Sequence, residues 1–189
     1  MDKINNILKN DGVIAFVTDT VWGIGCLPYS EKAVDRIYEI KGRNRSKPLI
    51  LMSDLAENLL PYVDNMSIKA KTLAEKYFPG AVTLVVKKSP KTPLFITSGM
   101  NTVGIRVPDN RIFENICENI DGHVLATTSA NLSGMPAAKN YREALNYIGQ
   151  YVDYVVPYET EKAKGLESTV VLALDEDIKI LRQGAVKID

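Results

Sequence analysis

Four basic side chains crowd into seven residues, Lys41-Gly42-Arg43-Asn44-Arg45-Ser46-Lys47, with no acid between them. Such a segment can clamp an anion: the planar guanidinium of arginine meets phosphate or carboxylate oxygens two at a time, and lysine adds a mobile point charge. Two plainer explanations stand beside that one. A charge run is commonly a solvated face, and cations at a helix C-terminus complement the helix dipole. A second segment, Thr127-Thr128-Ser129-Ala130-Asn131-Leu132-Ser133-Gly134, strings five hydroxyl or amide side chains into a turn that follows an apolar stretch. Such residues favour turns for local hydrogen-bonding reasons. A polar loop at the end of a buried strand is also where open α/β sheets bind ligands.

Three further segments repeat the theme. Thr18-Asp19-Thr20-Val21-Trp22-Gly23-Ile24-Gly25 leaves an apolar run with two glycines that permit close backbone approach; it reads either as a hairpin-like turn or as the wall of a small polar pocket. Thr102 to Pro108 is strand-like and contains Arg106, which needs a partner if buried. It reads as an edge-strand arginine or as a carboxylate-binding one. Ser168-Thr169-Val170-Val171 and Leu181-Arg182-Gln183-Gly184-Ala185 add hydroxyls and a cation near the C-terminus. There is no G-x-x-x-x-G-K-[ST] run and no G-x-S-x-G elbow, so neither a P-loop nor an α/β-hydrolase nucleophile is available. His123, at the start of a strand, suits a rim position better than a general base. The chain is equipped to hold and orient small anions without an obvious covalent nucleophile.

Elements that could position these groups follow from periodicity. Val13 to Val17 is a continuous apolar run and predicts a central strand buried on both faces. Ser30 can cap a helix over Glu31 to Ile40, which Gly42 ends. Pro48 to Met52 predicts a strand, and Ile68 to Phe78 a helix stopped by Pro79-Gly80. Strands are predicted over Ala81 to Lys87, Thr102 to Val107 and Val124 to Thr127, and near Tyr154, Thr169 and Ile178. Helices are predicted over Asp109 to Asn119 and Tyr141 to Tyr151. Ser89 to Met100 and Pro157 to Glu167 read as long loops. Strands and helices without strict alternation predict an α/β fold with a twisted mixed sheet and packed helices.

The chain has 189 residues, 46% of them hydrophobic, and reads as one domain over 1–189. Lys+Arg and Asp+Glu both number 23, so no global positive field draws a nucleic-acid backbone. No apolar run approaches the roughly 18 residues of a membrane span, and Met1 to Gly12 carries charges and amides instead of a basic start with an apolar core, so the chain is expected to be soluble and unexported. Cys26 and Cys117 form no C-x-x-C pair and, with one histidine, assemble no Cys/His metal site. Both are expected to be reduced thiols in a cytoplasmic setting.

Taken in order, these segments resemble the YrdC/TsaC family of threonylcarbamoyl-AMP synthases. The match runs from Thr18-Asp19-Thr20 and Lys41-x-Arg43, through Pro79-Gly80-Ala81-Val82-Thr83 and Ser98 to Arg106, to Ser129-x-Asn131, Ser168-Thr169-Val170 and Leu181-Arg182. The resemblance implies a YrdC-like fold with a large concave, positively charged cavity. It implies synthesis of L-threonylcarbamoyladenylate and pyrophosphate from L-threonine, bicarbonate and ATP with Mg2+, for a downstream tRNA-modifying enzyme.

For ATP it implies Arg43, Lys47, Ser98, Ser129 and Arg182, with the backbone of Ala137. For threonine it implies Thr20, Thr102, Arg106, Thr127 and Ser168. The signature pairs Lys41/Arg43 and Ser129/Asn131 form the catalytic set, with Lys41 and Asn131 around bicarbonate and the triphosphate, and no metal ligand is assigned to a protein side chain. Many members carry a histidine near the position of Met52, where this chain has methionine. Two rivals are a paralogue that handles carbamoyl-AMP and a non-catalytic module that binds double-stranded RNA.

Overall fold

The computed structural model describes residues 2–42, 44–158, 163–175 and 177–188. In chain order the elements are α1 (Asp2–Lys9), β1 (Ile14–Phe16), β2 (Gly23–Cys26), α2 (Glu31–Lys41), β3 (Ile50–Ser53), α3 (Ile68–Tyr77), β4 (Val82–Lys87), α4 (Leu94–Thr97), β5 (Thr102–Arg106), α5 (Arg111–Glu118), β6 (Val124–Ser129), α6 (Tyr141–Ile148), β7 (Tyr154–Val155), β8 (Thr169–Leu172) and β9 (Lys179–Arg182). Among the described residues the nine strands form one mixed sheet, ordered β7-β1-β2-β6-β3-β5-β4-β8-β9. The pairs β1/β7, β3/β5 and β4/β8 are parallel. The remaining pairs are antiparallel.

Local chemistry sets the helix ends. Ser30 accepts from the Ala33 amide at 3.1 Å and donates to Asp11 at 2.6 Å, which starts α2. Gly42, at φ 55°, takes the left-handed turn that stops α2 at Lys41. Asn110 and Asn140 cap α5 and α6 in the same way as Ser30.

Side chains alternate between the sheet's two faces, and each face has its own cover. One face buries Ala15, Ile24, Leu51, Leu84, Ile105 and Ala126 against α2, α3, α4 and α6. The other buries Ile14, Phe16, Met52 and Leu125 against Ile4 and Leu8 of α1 and Phe113, Ile116 and Cys117 of α5. Registers extend this second face across the strands: Met52 lies beside both Arg106 and Leu125, Ile50 beside both Gly104 and Thr127, and Ser129 beside Gly23. Thus the candidate side chains of β5 and β6, Arg106, Thr127 and Ser129, share one face, beyond the cover of α1 and α5.

Several expectations need correction. The apolar run at Val13 to Val17 is buried as predicted, but its strand β1 stands second from the sheet edge instead of at the centre. The short β7 outside it and helical cover on both faces explain its burial. Of the segment Thr18 to Gly25, read as a turn or a pocket wall, Thr18 and Thr20 to Gly23 do line a pocket, but from Gly23 the chain runs as the interior strand β2. Glycine normally weakens a strand, yet here it makes room: a Cβ on Gly23 or Gly25 would stand 3.0 or 3.1 Å from the Phe16 ring. Helix α1 lies in the charged, amide-rich start of the chain, where only the helical spacing of Ile4 and Leu8 signals it. The region 89–100 contains the short α4, and a 3-10 turn covers Ala56–Tyr62. None of the helices among the described residues is long and apolar enough to cross a membrane.

Both cysteines are fully buried and unpaired. Burial, with the charge of Asp11 adding, pushes the Cys26 thiol up to about 12. Burial likewise holds Cys117 well above the ordinary thiol value. Because the thiolate is the reactive form, an aromatic disulfide reagent at pH 8 is expected to find no fast-reacting thiol in the native protein and two in denaturant. Rapid stoichiometric labelling of either native cysteine would contradict this packing.

Candidate active site

The last turn of α2 delivers Lys41 to the loop that follows β6. Lys41 is only 3% exposed, so its ammonium needs acceptors, and the loop supplies them. Nζ donates to the Ser129 carbonyl at 2.5 Å, the Asn131 carbonyl at 2.9 Å and Asn131 Oδ1 at 2.8 Å. Ser129 Oγ donates to the same Oδ1 at 2.6 Å, and Asn131 Nδ2 donates to the Met135 carbonyl at 2.5 Å. The Ser133 amide returns a bond to the Lys41 carbonyl at 2.9 Å. Trp22, fully buried against Tyr141, anchors the loop's base through backbone bonds to Ala130 and Ala138.

Arg106, at the end of β5, is 2% exposed. Its Nη2 donates to Asp19 Oδ1 at 2.5 Å, Nη1 to Thr20 Oγ1 at 2.9 Å and Nε to the Gly80 carbonyl at 2.9 Å. Burial lowers its pKa from the ordinary guanidinium value; the charge of Asp19 opposes that, and the nearby charge of Arg182 adds to it. Thr18 Oγ1 stands 3.0 Å from Thr20 Oγ1 and donates to the Val21 carbonyl at 2.7 Å, so the turn before β2 is internally braced. On the far side, Thr83 and Ser168 share a hydroxyl bond at 2.8 Å. Arg182 of β9 donates to the Ser168 carbonyl at 2.9 Å and pairs with Glu167.

These groups line one pocket of about 340 Å³. Of the sequence's candidates, its wall contains Lys41, Lys47, Thr20, Arg106, Thr127, Ser129, Asn131, Ser168 and Arg182. Thr127, however, turns its hydroxyl to the Ile50 carbonyl at 3.2 Å. Three candidates do not line the pocket. Ser98, in the left-handed conformation at φ 55°, faces the Tyr38 hydroxyl at 3.3 Å. Thr102 stands opposite Lys87 at the other end of β5 from Arg106. Ala137 lies in the loop beside Ala138, which bonds Trp22 and Ala130. Arg43 falls outside the described residues.

The four-cation segment divides in its functions. Lys41 is buried in the site, and Lys47 borders it. Arg45 pairs with Asp35 at 2.7 Å and sits over the Tyr38 ring, which is the plain structural reading. Thr18 lines the pocket, as the pocket-wall reading of its segment allows; the sequence pointed to no role for Thr83 or Glu167, also in the wall, nor for Asp19, which holds Arg106. Asp19 could have been found as the one acid within a hydroxyl-rich turn; Glu167 had no signal apart from adjoining Ser168. Met52 lines the pocket as Arg106's cross-strand neighbour and supplies an apolar surface there.

The arrangement offers buried or half-buried cations, hydroxyls and an amide around a small space, suited to holding two anionic groups close together. The Sua5/YciO/YrdC family model, described as "Telomere recombination", matches residues 6–184. A threonylcarbamoyl-AMP synthase of Enterobacter sp. (strain 638) is 37% identical over 153 residues, 80% of this chain and 80% of that protein. Another, from Vibrio parahaemolyticus serotype O3:K6, is 30% identical over 185 residues, 97% of this chain and 98% of that protein. Among solved structures, P. abyssi Sua5 complexed with L-threonine superposes with a TM-score of 0.89 at 32% identity, covering 96% of this chain and 54% of that one. This chain thus spans about half the length of that Sua5. A family model matched over nearly the whole sequence, with full-length relatives at this identity, establishes that the chain belongs to the Sua5/YciO/YrdC family.

Proposed function

We propose that this protein is a threonylcarbamoyl-AMP synthase that makes L-threonylcarbamoyladenylate and pyrophosphate from L-threonine, bicarbonate and ATP. One observation carries the reading: Lys41 with the Ser129–Asn131 loop, and Arg106 with Thr20, border the same pocket. The names of the relatives and the threonine held by P. abyssi Sua5 support the substrates. The product serves a tRNA-modifying enzyme in the cytoplasm. The cations Lys41, Lys47, Arg106 and Arg182 line a pocket, which favours the synthase over a module that meets RNA through an exposed basic surface.

In this mechanism Arg106 receives the threonine carboxylate while Thr20 and Ser168 orient the amino acid. Its nitrogen forms a bond to the carbon supplied by bicarbonate. The resulting N-carboxylate attacks the α-phosphate, and pyrophosphate leaves. Two anions must approach each other for that step, so the main requirement is charge stabilisation and alignment. Lys41, Lys47, Arg43 and Arg182 supply positive charge, and Ser129 and Asn131 supply polar contacts. All three Nζ protons of Lys41 can be used by the loop, so Lys41 acts through its field and by shaping that loop.

Magnesium enters as part of the nucleotide substrate, where it neutralises phosphate charge. Asp19 and Glu167 are both ion-paired, and no group of three metal-ligating side chains occurs among the described residues. The chain's own side chains therefore suit MgATP better than a resident ion.

Lys41→Ala should abolish pyrophosphate release that depends on threonine and bicarbonate, a loss of about 100-fold or more. It should also cost about 1–3 kcal/mol in urea unfolding, because buried carbonyls lose their donor. Wild-type turnover would contradict the assignment. Arg106→Lys keeps the charge but loses the two-pronged fork. Steady-state kinetics should show the KM for threonine rising about tenfold or more, with the KM for ATP nearly unchanged. An effect confined to ATP would place the carboxylate elsewhere.

A further inference from the structure

Amine attack requires an unprotonated nitrogen, whereas an amino acid enters as an ammonium near neutral pH. None of the groups assigned so far removes that proton. Among the described residues lining the pocket, Glu167 carries the only carboxylate, and the lining contains no histidine or cysteine. Its side chain is 40% exposed, so it can be reached by a ligand.

Its backbone is also held in place. Two residues earlier, the Gly165 amide donates to the Thr20 carbonyl at 2.8 Å. The Glu167 carbonyl accepts from the Ala185 amide at 2.9 Å. Gly184 presses so closely on this segment that a Cβ there would stand 2.3 Å from the Glu167 carbonyl oxygen. Because Thr20 Oγ1 also accepts from Arg106, the segment bearing Glu167 is tied to the residue pair that receives the substrate carboxylate. The ammonium and carboxylate of an α-amino acid share one carbon, so a carboxylate seated on Arg106 brings the ammonium toward this wall.

We propose that Glu167 pairs with the amino-acid ammonium and takes its proton. This inference rests on the synthase reading above. One N–H bond breaks, its electron pair stays on nitrogen, and the proton moves to a Glu167 carboxylate oxygen. The proton then passes to the hydroxyl of bicarbonate, which departs as water as CO2 forms. The nitrogen pair makes the N–C bond to CO2, and the second proton lost from nitrogen goes to solvent. Arg182 pairs with Glu167 in the structure, and that contact must open or be shared when substrate enters. Among the described residues, the other charges around this wall are Arg106, Lys41 and Lys47 in the pocket, Asp19 on Arg106, and Lys139, whose chain packs against Gly165.

The test is pyrophosphate release by wild type, Glu167→Gln and Glu167→Asp between about pH 7 and 9.5, over which a free α-ammonium increasingly loses its own proton. Glu167→Gln should lose about 100-fold in kcat/KM for threonine at pH 7, keep its KM for ATP within about threefold, and approach wild type as pH rises. Glu167→Asp, which retains the carboxylate with a shorter reach, should keep the wild-type shape of the pH profile at a lower rate. A deficit equal at every pH, or one confined to the KM for ATP, would mean that Glu167 merely positions Arg182 and would overturn the proposal. So would a Glu167→Asp profile that has lost the wild-type shape, a comparison that stands even if Glu167→Gln fails to fold. A wild-type chain that releases no pyrophosphate with threonine and bicarbonate would bring down the synthase reading too, whereas an active wild type with a pH-independent Glu167→Gln deficit sinks this inference alone.

Discussion

Lys41 carries its charge at a position almost closed to water, and such a group is tolerated only when its N–H donors find acceptors. The acceptors come from residues 88 and 90 positions further along the chain. The bond set therefore does two things at once. It fixes the end of α2 against the end of β6, and it fixes the shape of the loop from Ser129 to Gly134. Without that cation, two carbonyls and an amide oxygen would each lose a donor, and the loop would be left with the weaker bracing of Ser129 Oγ on Asn131 Oδ1 and the Asn131 amide on the Ser129 carbonyl. A polar wall for the pocket follows from satisfying one buried ammonium.

The sheet supplies the rest of the geometry. Neighbouring strands in register present matching residues on one face, so Arg106, Met52, Ile50, Thr127 and Ser129 share a surface although they come from three strands. Helices α1 and α5 cover that face around Ile14, Phe16, Met52 and Leu125, with Ile50 at the margin. Gly104 keeps the floor flat where Ile50 leans across: a Cβ there would meet Ile50 Cγ2 at 2.7 Å. Two arginines are then set near each other, each against an acid, Arg106 with Asp19 and Arg182 with Glu167. The zero formal net charge of the whole chain conceals this local arrangement, because pairing cancels charges in the sum while leaving them sorted in space.

Several residues that line the pocket were legible in the sequence. Lys41, Ser129 and Asn131 could be named because an unbalanced cation run and an over-long run of hydroxyls and amides are unusual for ordinary caps. Arg106 could be named because a charged residue within a strand demands a partner. The partners themselves were not legible. Asp19 is 87 residues from Arg106 in sequence, and only the fold brings them together. Ser98, Thr102 and Ala137 show the opposite limit, since motif order says nothing about which way a left-handed residue or the far end of a strand will point. Among the elements, β2 was hidden because its glycines spoil strand propensity while serving the packing of Phe16. The position of β1 in the sheet was hidden because burial on both faces does not distinguish a central strand from one beside a short edge partner.

The central claim is that nucleotide and amino acid meet in the single pocket between the Lys41-held loop and Arg106. A crystal structure of the protein with L-threonine and a non-hydrolysable ATP analogue tests it most directly. The account predicts the threonine carboxylate on the Arg106 guanidinium and the triphosphate beside Lys47 and the Ser129–Asn131 loop, with the amino nitrogen facing the α-phosphate. Either ligand seated elsewhere, for example in the outer groove formed by Arg36, Glu39 and Tyr151, with the Lys41 pocket filled only by water, would contradict it.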